Sequence, residues 1–275
     1  MNRRTFLRCA FATAAAIPAG TACYGAFEAG RITVSRRSIP IAGLPKSFDG
    51  FRIAFLADIH HGPFTDEHLL RQIVRTTNLL DVDLIALGGD YILRDRKYIA
   101  PCFEALSELR AKHGIVGVMG NHDYWHGVHE VRRGFQRANV VELTNAGLFL
   151  ANGTDRLRIA GVDDHWEGTP RLAPCVAGLR RDEPCVLISH NPDFAEGIDD
   201  PRVKLVLSGH THGGQIVMPG TGLAYVPSAY GTKYLRGLCD APQTKVYVSR
   251  GLGNTVAPIR LGSRPELTEI TLQAA

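Results

Sequence analysis

Asp58-Ile59-His60, Gly89-Asp90, Gly120-Asn121-His122-Asp123, His190 and Gly209-His210-Thr211-His212 are the stretches of this chain whose residue types and spacing could do chemistry. All their polar side chains are oxygen or nitrogen donors of borderline hardness, and no cysteine stands among them. That donor set suits manganese, iron or zinc ions better than copper or an iron–sulfur cluster. His210 and His212 lie one residue apart among Gly209, Gly213 and Gly214, so a bent loop there could bring both imidazoles to one point. Two divalent ions ~3.5–4 Å apart need a shared carboxylate to offset their repulsion. Asp90, isolated after Gly88 and Gly89, is the natural bridge, and the two glycines would let the backbone approach the metals.

The elements that must position these residues are readable from hydrophobic patterning. Residues 51–56 form an apolar run that breaks into Ala57-Asp58-Ile59-His60, as a buried strand ending in a polar loop does. A helix is expected over residues 65–80, with Thr65 as its N-cap and Leu69, Leu70, Ile73 and Val74 at helical spacing. A strand at 82–87 ends at Gly88-Gly89-Asp90, a helix follows at 100–112, and a strand at 114–119 leads into Gly120-Asn121-His122-Asp123. This βαβαβ order implies a parallel sheet with helices packed on it. The second half reads as strand-rich, with candidates at 140–143, 148–150, 157–160, 185–189, 203–207, 245–248 and 267–272. Helices are expected there only around 170–179 and briefly after Pro192. The carboxyl ends of parallel strands share one edge, and ligands bind outside it. Donors spread over some 150 positions can therefore converge. No repeat, low-complexity tract or linker divides the chain, and one two-sheet domain from residue 28 to 275 is the economical expectation.

In their order and at their places after predicted strands, these pieces resemble the calcineurin-like metallophosphoesterase superfamily. Residues 51–215 carry the match, and Tyr247-Val248-Ser249-Arg250-Gly251-Leu252-Gly253 with Arg264-Pro265-Glu266 resemble its branch of twin-arginine-exported envelope phosphodiesterases. The resemblance implies a four-layer α/β/β/α sandwich with two mixed sheets, and a phosphoester hydrolase of phosphodiesterase or pyrophosphatase type with two metal ions. It assigns Asp58, His60 and His212 to the first ion, Asp90 to the bridge, and Asn121, His190 and His210 to the second. A hydroxide between the ions would attack phosphorus, and His122 would stabilise the transition state or protonate the leaving oxygen. In the phosphoprotein phosphatases a second Asp follows the Gly-Asp piece and orients this histidine. Here Leu93 occupies that place, which sets the chain apart from protein phosphatases.

The chain has 31 Lys and Arg, 27 Asp and Glu, and a net charge of +4. Residues 1–40 hold six Arg against Glu28, so the remainder is close to neutral and presents no basic face for nucleic acid. Asn2-Arg3-Arg4-Thr5-Phe6-Leu7-Arg8 precedes an uncharged run from Cys9 to Phe27 and resembles a twin-arginine export signal. Export to the periplasm or the outer face of the inner membrane is the expectation, with the twin-arginine machinery as a partner. The segment 1–27 could be cleaved near Gly20-Thr21-Ala22, lipidated at Cys23 or kept as an anchor. An anchored enzyme would suit a lipid-linked phosphoester substrate. A non-catalytic metal-binding scaffold and a cytoplasmic nucleotide phosphodiesterase are the alternatives. Cys102, Cys175, Cys185 and Cys239 match no zinc pattern, and buried thiols are as good a reading as bridges. Substrate selection is expected in cap loops at 125–131, 163–171 and 227–236. Arg250 and Arg260 are candidates for holding phosphate oxygens or for surface ion pairs, Asp123 for a helix cap or a partner of the ligands, and His61 for a role beside them.

Overall fold

The computed structural model describes residues 20–218 and 220–275, so the twin-arginine motif lies outside the described residues. Its elements, in chain order, are β1 (Thr33–Ile41), β2 (Arg52–Leu56), α1 (Glu67–Asn78), β3 (Leu84–Leu87), α2 (Ile99–Leu106), β4 (Ile115–Gly117), α3 (Asn121–Arg137) and β5 (Val140–Glu142). Then follow β6 (Ala146–Asn152), β7 (Asp155–Gly161), α4 (Leu172–Val176), β8 (Cys185–Ile188), β9 (Val203–Ser208), β10 (Gly237–Asp240), β11 (Lys245–Val248) and β12 (Glu266–Ala274). One sheet runs β1-β12-β2-β3-β4-β5 and the other β10-β11-β9-β8-β7-β6. The four strands β2 to β5 are mutually parallel, β12 lies antiparallel to β2, and β11-β9-β8-β7 form the parallel part of the second sheet. Both sheets are mixed, as expected.

Strand alternation builds the layers. Ile53, Phe55, Leu84 and Ala86 face the second sheet and meet Ile159, Val186, Ile188, Leu205 and Leu207 in the central core. Their neighbours Ala54, Leu56, Ile85 and Leu87 face the other way, against Leu70, Ile73, Phe103 and Phe135 of α1, α2 and α3. On the far side Leu187, Val206, Val246 and Val248 pack with Cys175 and Val176 of α4 and with Ala195 and Tyr234. The result is the α/β/β/α sandwich. Burial of this kind is worth roughly 1.5–3 kcal/mol per large side chain, which fixes the strand ends from which the site loops spring.

Several boundaries differ from the sequence expectation. Asp66, not Thr65, caps α1 by accepting from the Leu69 amide at 2.9 Å. Thr65 is instead buried and bonded to the Asn254 amide. Helix α2 stops at Leu106 rather than 112, α4 is only Leu172–Val176, and β1 joins β12 as an additional parallel strand. Residues 125–131 are not a cap loop but part of α3, kinked at Gly127, whose φ is 144°. Cys102, Cys175, Cys185 and Cys239 are free thiols, and Cys23 is free and exposed. Among the described residues no helix is long and apolar enough to cross a membrane.

Candidate metal centre

The site lies at the shared edge where β2, β3, β4, β8 and β9 end. Asp58 and His60 follow β2, Asp90 follows β3, Asn121 opens α3 after β4, His190 follows β8, and His210 and His212 follow β9. All seven are buried. Five of them, Asp58, His60, Asp90, His210 and His212, have left-handed backbones with φ between 46° and 71°. Such a conformation costs an L-residue roughly 1–2 kcal/mol and is held only where surrounding structure imposes it. Here it keeps each loop curled around the cluster instead of running on as a strand. Close backbone packing accompanies it. A Cβ on Gly209 would lie 2.4 Å from Asp58 Oδ2, and one on Gly120 would lie 2.2 Å from Asp90 Oδ1. Gly88 and Gly89 serve a different purpose from the metal approach expected of them. The first makes room for Phe55 and Ala57, and the second, at φ 90°, packs on the Gly120 backbone.

The donors form two pairs joined by one carboxylate oxygen. His60 Nε2 and His212 Nε2 are 3.1 Å apart, and His190 Nε2 and His210 Nδ1 are 3.3 Å apart. Asp90 Oδ2 lies 3.4 Å from His60 Nε2 and 3.2 Å from His190 Nε2, so it stands between the pairs. Asp58 Oδ1 is 3.6 Å from His212 Nε2. Ligand atoms of Asp58, His60 and His212 fall within 4.8 Å of one another, as do those of Asp58, Asp90 and His190. His210 and His212 thus reach different pairs. Among the described residues Asn121 Oδ1 has no hydrogen-bond partner although it is buried, which leaves an amide oxygen to offer.

Electrostatics agree with a cation site. Burial, reinforced by neighbouring cationic groups, lowers the pKa of His60 and of His210 to about 3, and pushes His212 well down, so their lone pairs are free of protons. His190 behaves oppositely. Burial disfavours its charge, but Asp90, Asp58 and Asp164 outweigh that and raise it to about 10. Its Nδ1–H donates to the Gly88 carbonyl at 2.8 Å, which turns Nε2 toward Asp90. The carboxylates therefore draw positive charge to this point. Asp90 is held well below the usual carboxylate range: burial opposes its charge, and His190, His122 and His60 overcome that. Burial, with Asp90 nearby, raises Asp58 to about 7.

Supporting residues divide between those the sequence flagged and those it did not. Asp123 is buried and accepts from the amides of Asp90, Tyr91 and Gly120 at 2.9, 3.0 and 2.9 Å, clamping the β3 loop to the start of α3. His61 donates through Nδ1 to the Thr65 carbonyl at 3.0 Å, packs edge-on against Tyr98 and belongs to none of the clusters of ligand atoms among the described residues. His122 donates its amide to Asp90 Oδ1 at 2.9 Å, and its ring lies edge-on to His60 with centroids 4.7 Å apart. A ligand atom of His122 also falls within 4.8 Å of those of His60 and Asp90. No side chain of the described residues bonds its Nδ1, in keeping with Leu93 replacing the orienting carboxylate. Arg250 pairs with Glu266 at 2.9 Å. Arg260 is wholly buried and donates to the carbonyls of Arg250, Ser263 and Gly253, with Nη2 3.4 Å from His212 Nδ1. Neither arginine lines the cleft, so neither is free to hold phosphate. The expectation missed Trp166, whose ring stands perpendicular to His210 at 4.3 Å. Only its position in the 163–171 loop hinted at it. Asp163, in the same loop, takes the Tyr124 hydroxyl instead of facing the cleft.

Above the donors opens a cleft of about 710 Å³. Asp90, Asn121, His122, His210 and His212 form its floor, Trp125 and His126 one wall, and Trp166, Tyr225, Pro227 and Val256 others.

A double-sheet sandwich with such a donor cluster at its strand ends defines a metallophosphoesterase, a hydrolase of phosphate esters. The chain belongs to the calcineurin-like phosphoesterase family, whose sequence profile matches residues 51–214. It is 34% identical over 292 residues to a protein of Bacillus subtilis (strain 168) described as uncharacterized metallophosphoesterase YkuE, with 100% of this chain and 98% of the relative covered. It is 31% identical over 226 residues to phosphodiesterase YaeI of Escherichia coli (strain K12), covering 81% and 82%. A transmembrane protein with metallophosphoesterase domain from Bos taurus is 33% identical over 261 residues, which take up 88% of this chain and 57% of that one. Among solved structures, a novel archaeal phosphodiesterase superposes with a TM-score of 0.42 at 14% identity, over 81% of this chain and 100% of its own.

Proposed function

We propose that the chain is a phosphodiesterase working with two metal ions, one held by Asp58, His60 and His212 and the other by Asn121, His190 and His210, with Asp90 shared. The observation that carries this reading is the place of Asp90 Oδ2, between a histidine pair on each side. The unpartnered Asn121 Oδ1 and the neutral rings of His60 and His210, each with a nitrogen lone pair to offer, fit the same ions. Manganese, iron and zinc all suit these donors. When bound, the ions lower the pKa of water and offset charge on the phosphoryl oxygens. The protein's own part is positional. His122, at the cleft floor, delivers a proton to the leaving oxygen. Trp125 and Trp166 flank the opening, confine the ester and keep water from its far side.

Purified protein with added Mn²⁺ is expected to cleave a generic aryl phosphodiester, and Asp90→Ala to abolish the cleavage. Full activity in that variant, or after chelation of metal, refutes the reading. We also propose export by the twin-arginine route to the periplasm or outer face of the inner membrane, on the strength of Arg3, Arg4 and the uncharged run after Arg8. The substrate would be an envelope or lipid-linked ester. Fractionation of cells carrying Arg3→Lys with Arg4→Lys tests the route: the periplasmic share should disappear, and an unchanged distribution overturns it.

A further inference from the structure

The mouth of the cleft carries more apolar surface than a water-soluble ester requires. Trp125, Trp166, Ile216, Tyr225 and Val256 line it and are 40–81% exposed. Beyond the mouth, Met218 and Leu223 project from a turn closed by the Met218 amide on the Leu223 carbonyl at 2.8 Å, and are 54% and 69% exposed. Charge is missing from the two loops that carry Ile216, Tyr225 and Val256, although Arg94 also lines the cleft. A fifth of the chain is charged, yet residues 216–232 and 251–259 contain no Asp, Glu, Lys or Arg. Contiguous exposed apolar surface of this kind marks a site of interaction.

The chain's own N-terminal stretch reaches this face. Residues 20–29 are helical and bury Gly25, Glu28 and Ala29 against the 259–264 loop. The Arg260 amide donates to the Gly25 carbonyl at 3.0 Å, and Arg264 Nε to Glu28 Oε1 at 2.9 Å. That loop is in turn bonded to the rim. Gln215 Nε2 donates to the Ala257 and Ile259 carbonyls, and the Val217 amide to the Leu261 carbonyl at 2.8 Å. Helix, loop and rim are one hydrogen-bonded unit. The helix continues an uncharged run that begins at Cys9, and it leaves Tyr24 and Phe27 exposed. Apolar side chains with tryptophan and tyrosine at a rim are the composition that settles at a membrane interface.

We infer that this face, catalytic mouth included, seats on a lipid bilayer, so that the ester hydrolysed belongs to an amphiphile held in that bilayer. The inference rests on the phosphodiesterase reading for the reaction but not for the docking. Trp125 and Trp166 are the only two tryptophans of the chain, and both stand at the mouth. Their fluorescence therefore reports the contact. The full-length Mn²⁺-loaded protein is mixed with phosphatidylglycerol–phosphatidylethanolamine vesicles containing lipid brominated near the headgroup end of its chains. Emission should shift to the blue and be quenched. Met218→Ser with Leu223→Ser should weaken the quenching. It should also lower the ratio of vesicle-borne to soluble phosphodiester hydrolysis about tenfold, with the melting temperature as a check on folding. Protein that sediments with vesicles while both tryptophans stay unquenched overturns the docking. That result would show attachment through the N-terminal stretch alone and leave the rim to a protein partner. A ratio unchanged in the double variant overturns it too. Absence of metal-dependent hydrolysis of the soluble ester with quenching intact sinks the phosphodiesterase reading instead.

Discussion

Gly120→Ala tests whether the position of one carboxylate sets the activity. Gly120 has φ −112°, which alanine adopts without strain, so the substitution acts through space alone. The added Cβ would stand 2.2 Å from Asp90 Oδ1, 2.7 Å from the Asp90 amide nitrogen and 2.8 Å from its Cγ. The backbone cannot give easily, because that amide donates to Asp123 Oδ2 at 2.9 Å. The carboxylate must retreat by about 1.2 Å to reach ordinary contact at 3.4 Å. That motion carries Oδ2 out from between the histidine pairs and breaks the His122 amide bond to Oδ1. A misplacement of this size costs about 10²-fold in rate, while overpacking costs the fold roughly 1–3 kcal/mol. For a chain of this length each kcal/mol lowers Tm by ~2–4 °C. The assay is kcat/KM for an aryl phosphodiester in saturating Mn²⁺, with Tm by circular dichroism. Gly197→Ala serves as control, since a Cβ there meets nothing within 4 Å. A Gly120→Ala enzyme within about threefold of wild type in kcat/KM would refute the placement of Asp90 as the shared ligand.

Two further outcomes follow from buried charges. Arg260→Met should leave the carbonyls of Arg250, Ser263 and Gly253 without a donor, each at a cost of about 1–3 kcal/mol, so a marked fall in Tm is expected together with weaker Mn²⁺ binding by calorimetry. An unchanged Tm would contradict the role of Arg260 in fixing the loop behind His212. Glu266 is buried, which opposes its charge, but Arg250, Ser35 and Tyr247 overcome this and hold its pKa below the ordinary 4.5. Its contribution to stability is therefore complete above that value and lost as pH falls through the lower folded-state pKa. Glu266→Gln should be less stable at neutral pH and show a flatter acid limb in denaturant titrations, and an identical acid limb would refute it.

The donors were legible in the sequence because each sits directly after a continuous apolar run, and the run, the break and the donor are all local. What depended on tertiary surroundings was not legible. Arginine is rarely enclosed, so nothing in Pro258-Ile259-Arg260 announces a fully buried guanidinium behind His212. Beyond the helix-cap reading of Asp123, the course of helix α3 escaped because Gly127 breaks its periodicity, and because its outer face is as polar as a loop. Strand β1 escaped because Ser35, Arg36, Arg37 and Ser38 interrupt its alternation. It is an edge strand, and only Ile39 and Ile41 are buried. Asp66 took the cap from Thr65 because Thr65 is drawn inward by Asn254, a residue 189 positions away.

Left-handed backbone at five of the seven donors cannot be read from Asp and His in a sequence, yet it decides how the site is built. At roughly 1–2 kcal/mol each, these conformations persist only where the surrounding structure enforces them. The loops enforce them on one another. The Asp58 amide donates to the Gly89 carbonyl at 3.0 Å, the His60 amide to the Asp90 carbonyl at 3.0 Å, and the His210 amide to Asp58 Oδ1 at 2.9 Å. Each bond joins the loop after one strand to the loop after another, and each closes around a donor. The arrangement is therefore held by the ends of the sheets and the bonds between their loops. The same mutual bonding is what makes a displaced Asp90 costly, because its amide and its carboxylate are both tied to the start of α3.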